Sequence, residues 1–118
     1  MTLQELLSGL DLVNFTPGLA GRLATTQVTA GYTCDLLSDI LANAPDGGVA
    51  ITIQAHLNVV AVAVHSRLAG VILAGGRAPD DEVIARATEE GVPLLGSREG
   101  AFDLSGRLYA LGLRGSAA

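Results

Sequence analysis

The run GGVAITIQAHLNVVAVAVHS, residues 47–66, contains no formally charged side chain and is the most informative stretch for the fold. Three polar side chains, Gln54, His56 and Asn58, stand at its centre between two apolar flanks. A membrane-spanning helix needs roughly 20 apolar residues, but here three polar groups would lie at mid-bilayer. The run is therefore interpreted as two buried elements joined by a polar turn.

The two buried elements are predicted to be a strand and then a helix. Residues 49–53 form the strand, and Asn58 caps a helix over 59–65. The valines of the second element favour a strand by intrinsic propensity. Residues 69–74, however, are another apolar strand, and adjacent parallel strands need a crossover between them. The crossover favours a helix.

Length and composition predict one domain with an aliphatic core. The chain has 118 residues, of which 49% are hydrophobic and only 3% aromatic. A chain of this length buries about two thirds of its unfolded surface. We expect the domain to occupy residues 1–113 and residues 114–118 to form a flexible tail.

The charge pattern argues against two classes of partner. The net charge is −5, and all seven basic residues are arginines. Neither nucleic acid nor an anionic membrane surface is an expected partner of such a chain. The single Cys34 cannot form an internal disulfide, and the first residues lack the pattern of a signal peptide. A cytoplasmic location is the expectation.

The remaining elements alternate between strand and helix. The pattern predicts helices over residues 2–8, 34–44 (with Thr33 as N-cap), 80–90 and 99–111, and strands over 10–15, 27–30 and 92–95. The last helix has Phe102, Leu104, Leu108 and Leu111 as its apolar residues. This order predicts a compact α/β domain with a largely parallel sheet and flanking helices, a Rossmann-like layer arrangement.

Four loops should meet at the carboxyl ends of the parallel strands, where α/β sheets place ligands. We call this end of the sheet the rim. Its candidate ligand-binding residues are Thr33, Gln54, His56, Asn58, Gly75, Gly76, Arg77, Ser97 and Arg98. Two arginines, hydrogen-bonding side chains and glycines suit a small anionic molecule. The alternative is that Thr33, Asn58 and Ser97 only cap helices.

Catalytic and metal sites are the less favoured interpretations. His56 could act as a base with Asp35 or Cys34, if those side chains lie within hydrogen-bond reach beside a pocket. Asp35 and Asp39 share a predicted helix face but lack further metal ligands. Residues 70–77 mimic P-loop spacing, yet the Lys and the hydroxyl residue of that motif are missing. Neither a metal nor a P-loop nucleotide is expected.

Several segments carry a family resemblance. These are residues 31–39 (GYTCDLLSD), 51–63 (ITIQAHLNVVAVA), 68–73 (LAGVIL) and 76–80 (GRAPD). With them the chain resembles a stand-alone protein of the DRTGG-domain family over about residues 10–113. The domain is similar to the N-terminal domain of HPr kinase/phosphorylase and to DRTGG regions of phosphotransacetylases and CBS-domain pyrophosphatases. Single-domain members often accompany iron hydrogenase genes.

The resemblance implies an accessory or regulatory domain that self-associates and has no catalysis of its own. The chain departs from the family's namesake motif, because it contains no Asp-Arg dipeptide and has residues 54–58 (QAHLN) in that place. A ligand role of the pair therefore does not transfer to this chain.

The expected function is thus a non-enzymatic domain that binds a small anionic ligand, with an adenine nucleotide as one possibility, and is linked to hydrogenase or energy metabolism. We expect a homodimer because residues 59–64 are apolar on all sides. The alternatives are a protein-docking module without a ligand and a small enzyme that uses His56.

Overall fold

The computed structural model describes residues 1–116, and its strands form one sheet in the order β1-β5-β4-β3-β2. The strands are β1 (Val13–Asn14), β2 (Gly31–Thr33), β3 (Val49–Thr52), β4 (Gly70–Leu73) and β5 (Leu94–Gly96). Strands β2 to β5 are parallel, and β1 is antiparallel to β5. The predicted α/β class with a largely parallel sheet is confirmed.

Six α-helices surround the sheet in the described part of the chain. They are α1 (Leu3–Gly9), α2 (Ala20–Leu23), α3 (Leu37–Asn43), α4 (Leu57–His65), α5 (Asp81–Glu90) and α6 (Ala101–Ala110), and a 3-10 turn at Pro17–Leu19 precedes α2. The element after the polar turn is a helix, as predicted. The crossover between parallel β3 and β4 therefore overrides the strand propensity of its valines.

The two faces of the sheet pack against different helices. Along β4, Val71 and Leu73 pack with α4 and α5, whereas Ile72 packs with α1 and α6. This alternation is the period of two that strand geometry imposes, and it makes both sheet faces buried. Phe15 and Leu37 complete the α4 and α5 side.

Helix α1 begins, and helix α5 begins and ends, at the residues that the capping rules indicate. Thr2 and Glu5 form a capping box at the start of α1. The Asp80 side chain accepts a hydrogen bond from Val83 N at the start of α5, and Gly91 ends that helix in the left-handed conformation.

The second strand was predicted in the wrong place. It covers Gly31–Thr33 instead of residues 27–30, where Gln27 forms only an isolated bridge to Thr2. Thr33 pairs in register with Ile51. Because its backbone belongs to this ladder, Thr33 cannot be the N-cap, and α3 instead begins at Leu37 after Leu36.

Three further boundaries differ from the prediction. Asn58 lies inside the first turn of α4, whose N-cap position is held by His56 without a side-chain cap. Strand β1 spans two residues instead of 10–15. The last helix spans Ala101–Ala110 instead of 99–111, and of its predicted apolar residues Leu104 and Leu108 are buried, whereas Phe102 is exposed and Leu111 is exposed just after the helix.

The predicted tail lies partly outside the described residues, since 117–118 are not described. Within the described part, the Arg114 guanidinium stacks 3.7 Å from the centroid of the Tyr109 ring. The Arg114 carbonyl accepts a hydrogen bond from Gly31 N at 2.9 Å. In residues 1–116 no helix combines the length and the apolar character that crossing a membrane requires.

Candidate functional site

The rim holds the predicted loops side by side, because neighbouring parallel strands end at the same edge of the sheet. Following the sheet order, the loops after β5, β4, β3 and β2 lie next to one another. Residues 31–33 and Gly96 belong to the strands themselves, so the loops begin slightly later than predicted.

The connections after β4 and β5 leave the sheet in opposite directions. Helix α5 packs on one face with α4, and α6 packs on the other face with α1. Adjacent strands whose connections diverge in this way form the crevice in which open α/β sheets bind ligands. The rim between β4 and β5 is therefore the position at which the topology favours a site.

Two glycines tie these diverging loops together. Gly75 N donates to the Glu99 carbonyl at 2.8 Å, and Gly76 N donates to the Ser97 carbonyl at 2.8 Å. Both glycines have positive φ, +69° and +73°, a conformation in which a side chain is strained. Their N–H groups thus hold the two loops in place and are not available to a ligand.

Arg77 and Arg98 flank this glycine contact, one on each loop. Both side chains are exposed, and neither forms a hydrogen bond or an ion pair with another residue of the described range 1–116. The Ser97 hydroxyl accepts a hydrogen bond from Glu99 N at 3.0 Å, which fixes the turn before α6.

A cavity of about 380 Å³ opens beside Ser97 and Arg98. The other lining residues are Leu10, Asp11, Val13, Glu99 and Arg107. Arg107 forms an ion pair with Glu99 and donates to the Gly9 carbonyl at 3.4 Å. Arg98 is therefore the cation in this lining that is free to meet an anion, while Arg77 lies on the neighbouring loop.

A second cross-link joins the loops after β2 and β3. The Asp35 carboxylate accepts hydrogen bonds from Thr52 Oγ1 at 3.2 Å and from Ile53 N at 3.0 Å. The Gln54 side-chain amide donates to the Asp35 carbonyl at 2.9 Å. Gln54 thus positions the backbone of the neighbouring loop.

His56 and Asn58 lie at a different place on the rim. They line a cavity of about 360 Å³ between the first turns of α4 and α5, together with Leu57, Asp80, Glu82 and Val83. The two carboxylates make this cavity unfavourable for an anion.

Thr33 is separated from the other predicted residues. Its hydroxyl lies 2.7 Å from Ser105 Oγ on α6. Both residues line a cavity of about 130 Å³ beside β2, which also contacts Tyr109 and Arg114. The nine predicted residues are therefore spread along the rim, and only 75–77 and 97–98 surround the diverging loops.

The residues of the catalytic alternative are engaged elsewhere. Cys34 Sγ accepts a hydrogen bond from Leu36 N at 3.4 Å, and Asp35 holds the loop after β3. Within residues 1–116, His56 forms no hydrogen bond with either of them. The hydroxyl of Tyr32 donates to the Asp39 carboxylate, and this hydrogen bond raises the pKa of Tyr32.

Three residues outside the predicted set also help to build the rim. Asp35, expected as a cation ligand or a proton-transfer partner, bridges two loops, and Glu99 and Arg107 line the cavity beside Arg98. No local signal indicates the Asp35 bridge, because Ile53 lies 18 residues away, beyond the range of local Asp side-chain bonds.

Comparisons with known proteins agree with this fold. A sequence profile of the DRTGG domain matches residues 28–111. A similar solved structure is that of the CBS and DRTGG domains of the regulatory region of Clostridium perfringens pyrophosphatase, complexed with its activator, diadenosine tetraphosphate. It has a TM-score of 0.66 and 14% sequence identity, and the match covers 91% of this chain and 45% of that chain. No curated protein sequence matches the chain.

Proposed function

Because this chain belongs to the DRTGG domain family, we propose that it is a non-enzymatic regulatory or accessory domain that self-associates and binds a small anionic ligand such as a nucleotide. The ligand lies at the rim between β4 and β5, and the protein acts in the cytoplasm.

The observation that carries the proposal is the pair of exposed arginines at the diverging loops. The side chains of Arg77 and Arg98 have no partner among residues 1–116, while the glycine contact between their loops fixes the backbone on which they stand. A guanidinium offers a planar set of N–H donors that fits phosphate oxygens. Two such groups on a rigid base favour a ligand with more than one anionic group.

The charges beside the two cavities favour an anion on the side of α6. The Ser97 and Arg98 cavity is lined by two arginines, Arg98 and Arg107, and by two carboxylates. The His56 and Asn58 cavity is lined by two carboxylates, and no arginine is among its described lining residues. Helices α4 and α6 both lack a side-chain cap, so their N-termini do not distinguish the two cavities. The Ser97 and Arg98 cavity therefore suits phosphate better than the His56 and Asn58 cavity.

The nucleotide is a choice of ligand class that the comparison motivates. The pyrophosphatase regulatory region, of which this chain covers 45%, was solved with diadenosine tetraphosphate. Adenine nucleotides and dinucleoside polyphosphates are therefore the first compounds to test on this chain.

The test is a thermal-shift and calorimetry panel of mono-, di- and dinucleoside phosphates on the full chain. The Arg77→Ala, Arg98→Ala double variant should bind at least about 30-fold more weakly than the parent, because two charge-assisted contacts are lost. The matched control, Arg67→Ala with Arg86→Ala, removes two exposed arginines away from the rim and should bind like the parent.

If the two double variants bind the ligand with equal affinity, Arg77 and Arg98 do not contribute to ligand binding. A ligand lost instead from a His56→Ala, Asn58→Ala variant would place binding between α4 and α5. If no anion in the panel binds the parent, the ligand part of the proposal fails.

A protein-docking module without a ligand is the second candidate. The observation in its favour is Phe102, whose side chain is 90% exposed on α6. In that case the panel gives no shift with the parent protein, and self-association or partner binding alone remains.

A further inference from the structure

The outer face of α6 carries a largely exposed apolar stripe, on which the Arg114 guanidinium stacks against one face of the Tyr109 ring and leaves Phe102 uncovered within residues 1–116. Phe102, Gly106 and Tyr109 are spaced i, i+4 and i+7, so they lie on one face of the helix. Phe102 is 90% exposed and Tyr109 is 59% exposed. Two of the four aromatic residues of the chain thus face away from the core.

We infer that a second copy of this chain covers the stripe, with α6 packed antiparallel against α6 of the partner. The inference rests on the self-association proposed above and assigns the surface through which it occurs.

The spacing of the stripe is self-complementary in an antiparallel pair. Phe102 and Tyr109 are seven residues apart, about 10 Å along the helix axis. When two copies cross at their midpoint, Phe102 meets the partner's Tyr109 and Tyr109 meets the partner's Phe102. Facing aromatic side chains with a twofold axis between them form an isologous contact.

Gly106 lies near that midpoint and allows the two helices to come close. A Cβ atom added at Gly106 would meet nothing within 4 Å in this chain, so the fold itself does not need a glycine there. A small residue at a crossing shortens the distance between helix axes. Glycine is unfavourable inside a helix, but at this position it lets the two helices of the pair approach closely.

The charges beside the stripe favour the antiparallel direction. Asp103 and Arg107 lie four residues apart on one flank of α6. Asp103 forms no ion pair with residues 1–116, and Arg107 has guanidinium donors beyond the two that bond Glu99 and the Gly9 carbonyl. In an antiparallel twofold pair the same flanks of the two helices lie together, so Asp103 faces the partner's Arg107. In a parallel twofold pair these flanks lie on opposite sides of the contact, so Asp103 and Arg107 would not meet across it.

The uncharged stripe also suits a partner that has the same net charge. Two copies of a chain with net charge −5 repel each other at long range. A contact centred on Phe102, Gly106 and Tyr109 places no unpaired like charges at its middle.

The first experiment measures mass by light scattering and sedimentation across a concentration series. The parent should have twice the 12.0 kDa chain mass at micromolar concentration. Phe102→Asp should raise the dimer dissociation constant by at least about 30-fold. The variant should fold, because Phe102 is exposed and an acidic residue in the first turn of a helix is favourable; circular dichroism checks this.

The matched control is Val64→Asp, which places the same charge on the exposed side of α4. It should remain a dimer. If Phe102→Asp stays dimeric and Val64→Asp is monomeric, the α6 interface is wrong although the chain self-associates. If the parent protein is monomeric, both the α6 interface and the proposed self-association are wrong.

A charge exchange tests the direction of the helices independently. Asp103→Arg alone and Arg107→Asp alone should each weaken the homodimer, because each brings like charges together. Mixed in equal amounts, the two variants should form a heterodimer in which both flanks pair opposite charges, with affinity within about threefold of the parent dimer. Failure of the mixture to associate would overturn the antiparallel arrangement.

Discussion

Helices α4 and α6 pack on opposite faces of the sheet. In both, the share of apolar residues in the helix is a poor guide to how exposed its apolar side chains are. Helix α4 contains almost only apolar residues, yet Val59, Val60 and Ala63 are buried in the chain itself. Helix α6 contains charged residues and glycine, yet it exposes Phe102 almost completely. Helix α4 is the more apolar of the two, but the large exposed apolar side chain, Phe102, lies on α6.

The apolar content of a helix therefore does not locate an interface. Neighbouring helices α3 and α5 flank α4 and cover much of its circumference. Leu57, Ala61, Val64 and His65 lie on its outer side, next to Arg86. Helix α6 has no such neighbours over its outer side, so side chains that point outward there stay exposed.

The comparison predicts that the same charge has very different effects on the two sides of α4. Val60→Asp places an unpaired carboxylate in the core and should lower the free energy of unfolding by about 4 kcal/mol or more. Val64→Asp, at a position 44% exposed, should change it by less than about 1 kcal/mol. Urea unfolding followed by circular dichroism measures both, and similar losses would contradict the buried and exposed sides described above.

A truncation pair on α6 separates its inner from its outer side. Leu104→Ala should lower the free energy of unfolding by about 3 kcal/mol, because Leu104 is buried and a cavity is left. Phe102→Ala should change the free energy of unfolding of the monomer by less than about 0.5 kcal/mol. The two values are compared at protein concentrations at which the dimer has dissociated, since association adds apparent stability.

Gly106 should show effects of opposite sign on folding and on association. Gly106→Ala should raise the free energy of unfolding of the monomer by about 0.5–1 kcal/mol, because glycine is unfavourable inside a helix. The added methyl group at the crossing should weaken the dimer in sedimentation experiments. If Gly106→Ala stabilises the monomer and leaves the dimer dissociation constant unchanged, the two helices do not cross at Gly106.

Gly76 is the matched control for that substitution. Its surroundings are equally open to a Cβ atom, but its φ is +73°. Gly76→Ala should therefore lower the free energy of unfolding by about 1–2 kcal/mol through backbone strain alone.

The smallest effect concerns the two tyrosines, one on α6 and one in β2. The hydrogen bond to Asp39 raises the pKa of Tyr32 from its ordinary value of 10.0. A raised pKa in the folded state favours the neutral phenol, so its contribution to stability is present below about pH 10 and is lost as the pH rises through the folded pKa. Ultraviolet titration should show a late tyrosine component that Tyr32→Phe removes and Tyr109→Phe retains.

Much of the fold could be predicted because local signals and topology agree. The cap at Asp80 and the stop at Gly91 are sequence features with local causes. The α4 helix was predicted against its propensity from the need for a crossover alone. Strand β2 was misplaced because its residues, Gly31–Thr33, resemble a turn and become a strand only by pairing with β3.

The candidate site could be predicted only as a region. The sequence indicated which loops meet at the rim, since parallel strands share that edge. It could not indicate that Gly75 and Gly76 donate to the next loop, or that Gln54 bonds the Asp35 carbonyl. These contacts join residues about 20 positions apart, and no short-range pattern encodes them.

Composition, periodicity and the family match are enough to specify an acidic, aliphatic α/β domain of the DRTGG family with its polar loops at one end of the sheet. Which loops diverge, which arginine side chains stay unpaired and which helix exposes an aromatic face follow from the packing of the whole fold. Composition and period limit what each segment can bury, whereas the exposure of a side chain depends on which neighbours pack beside it.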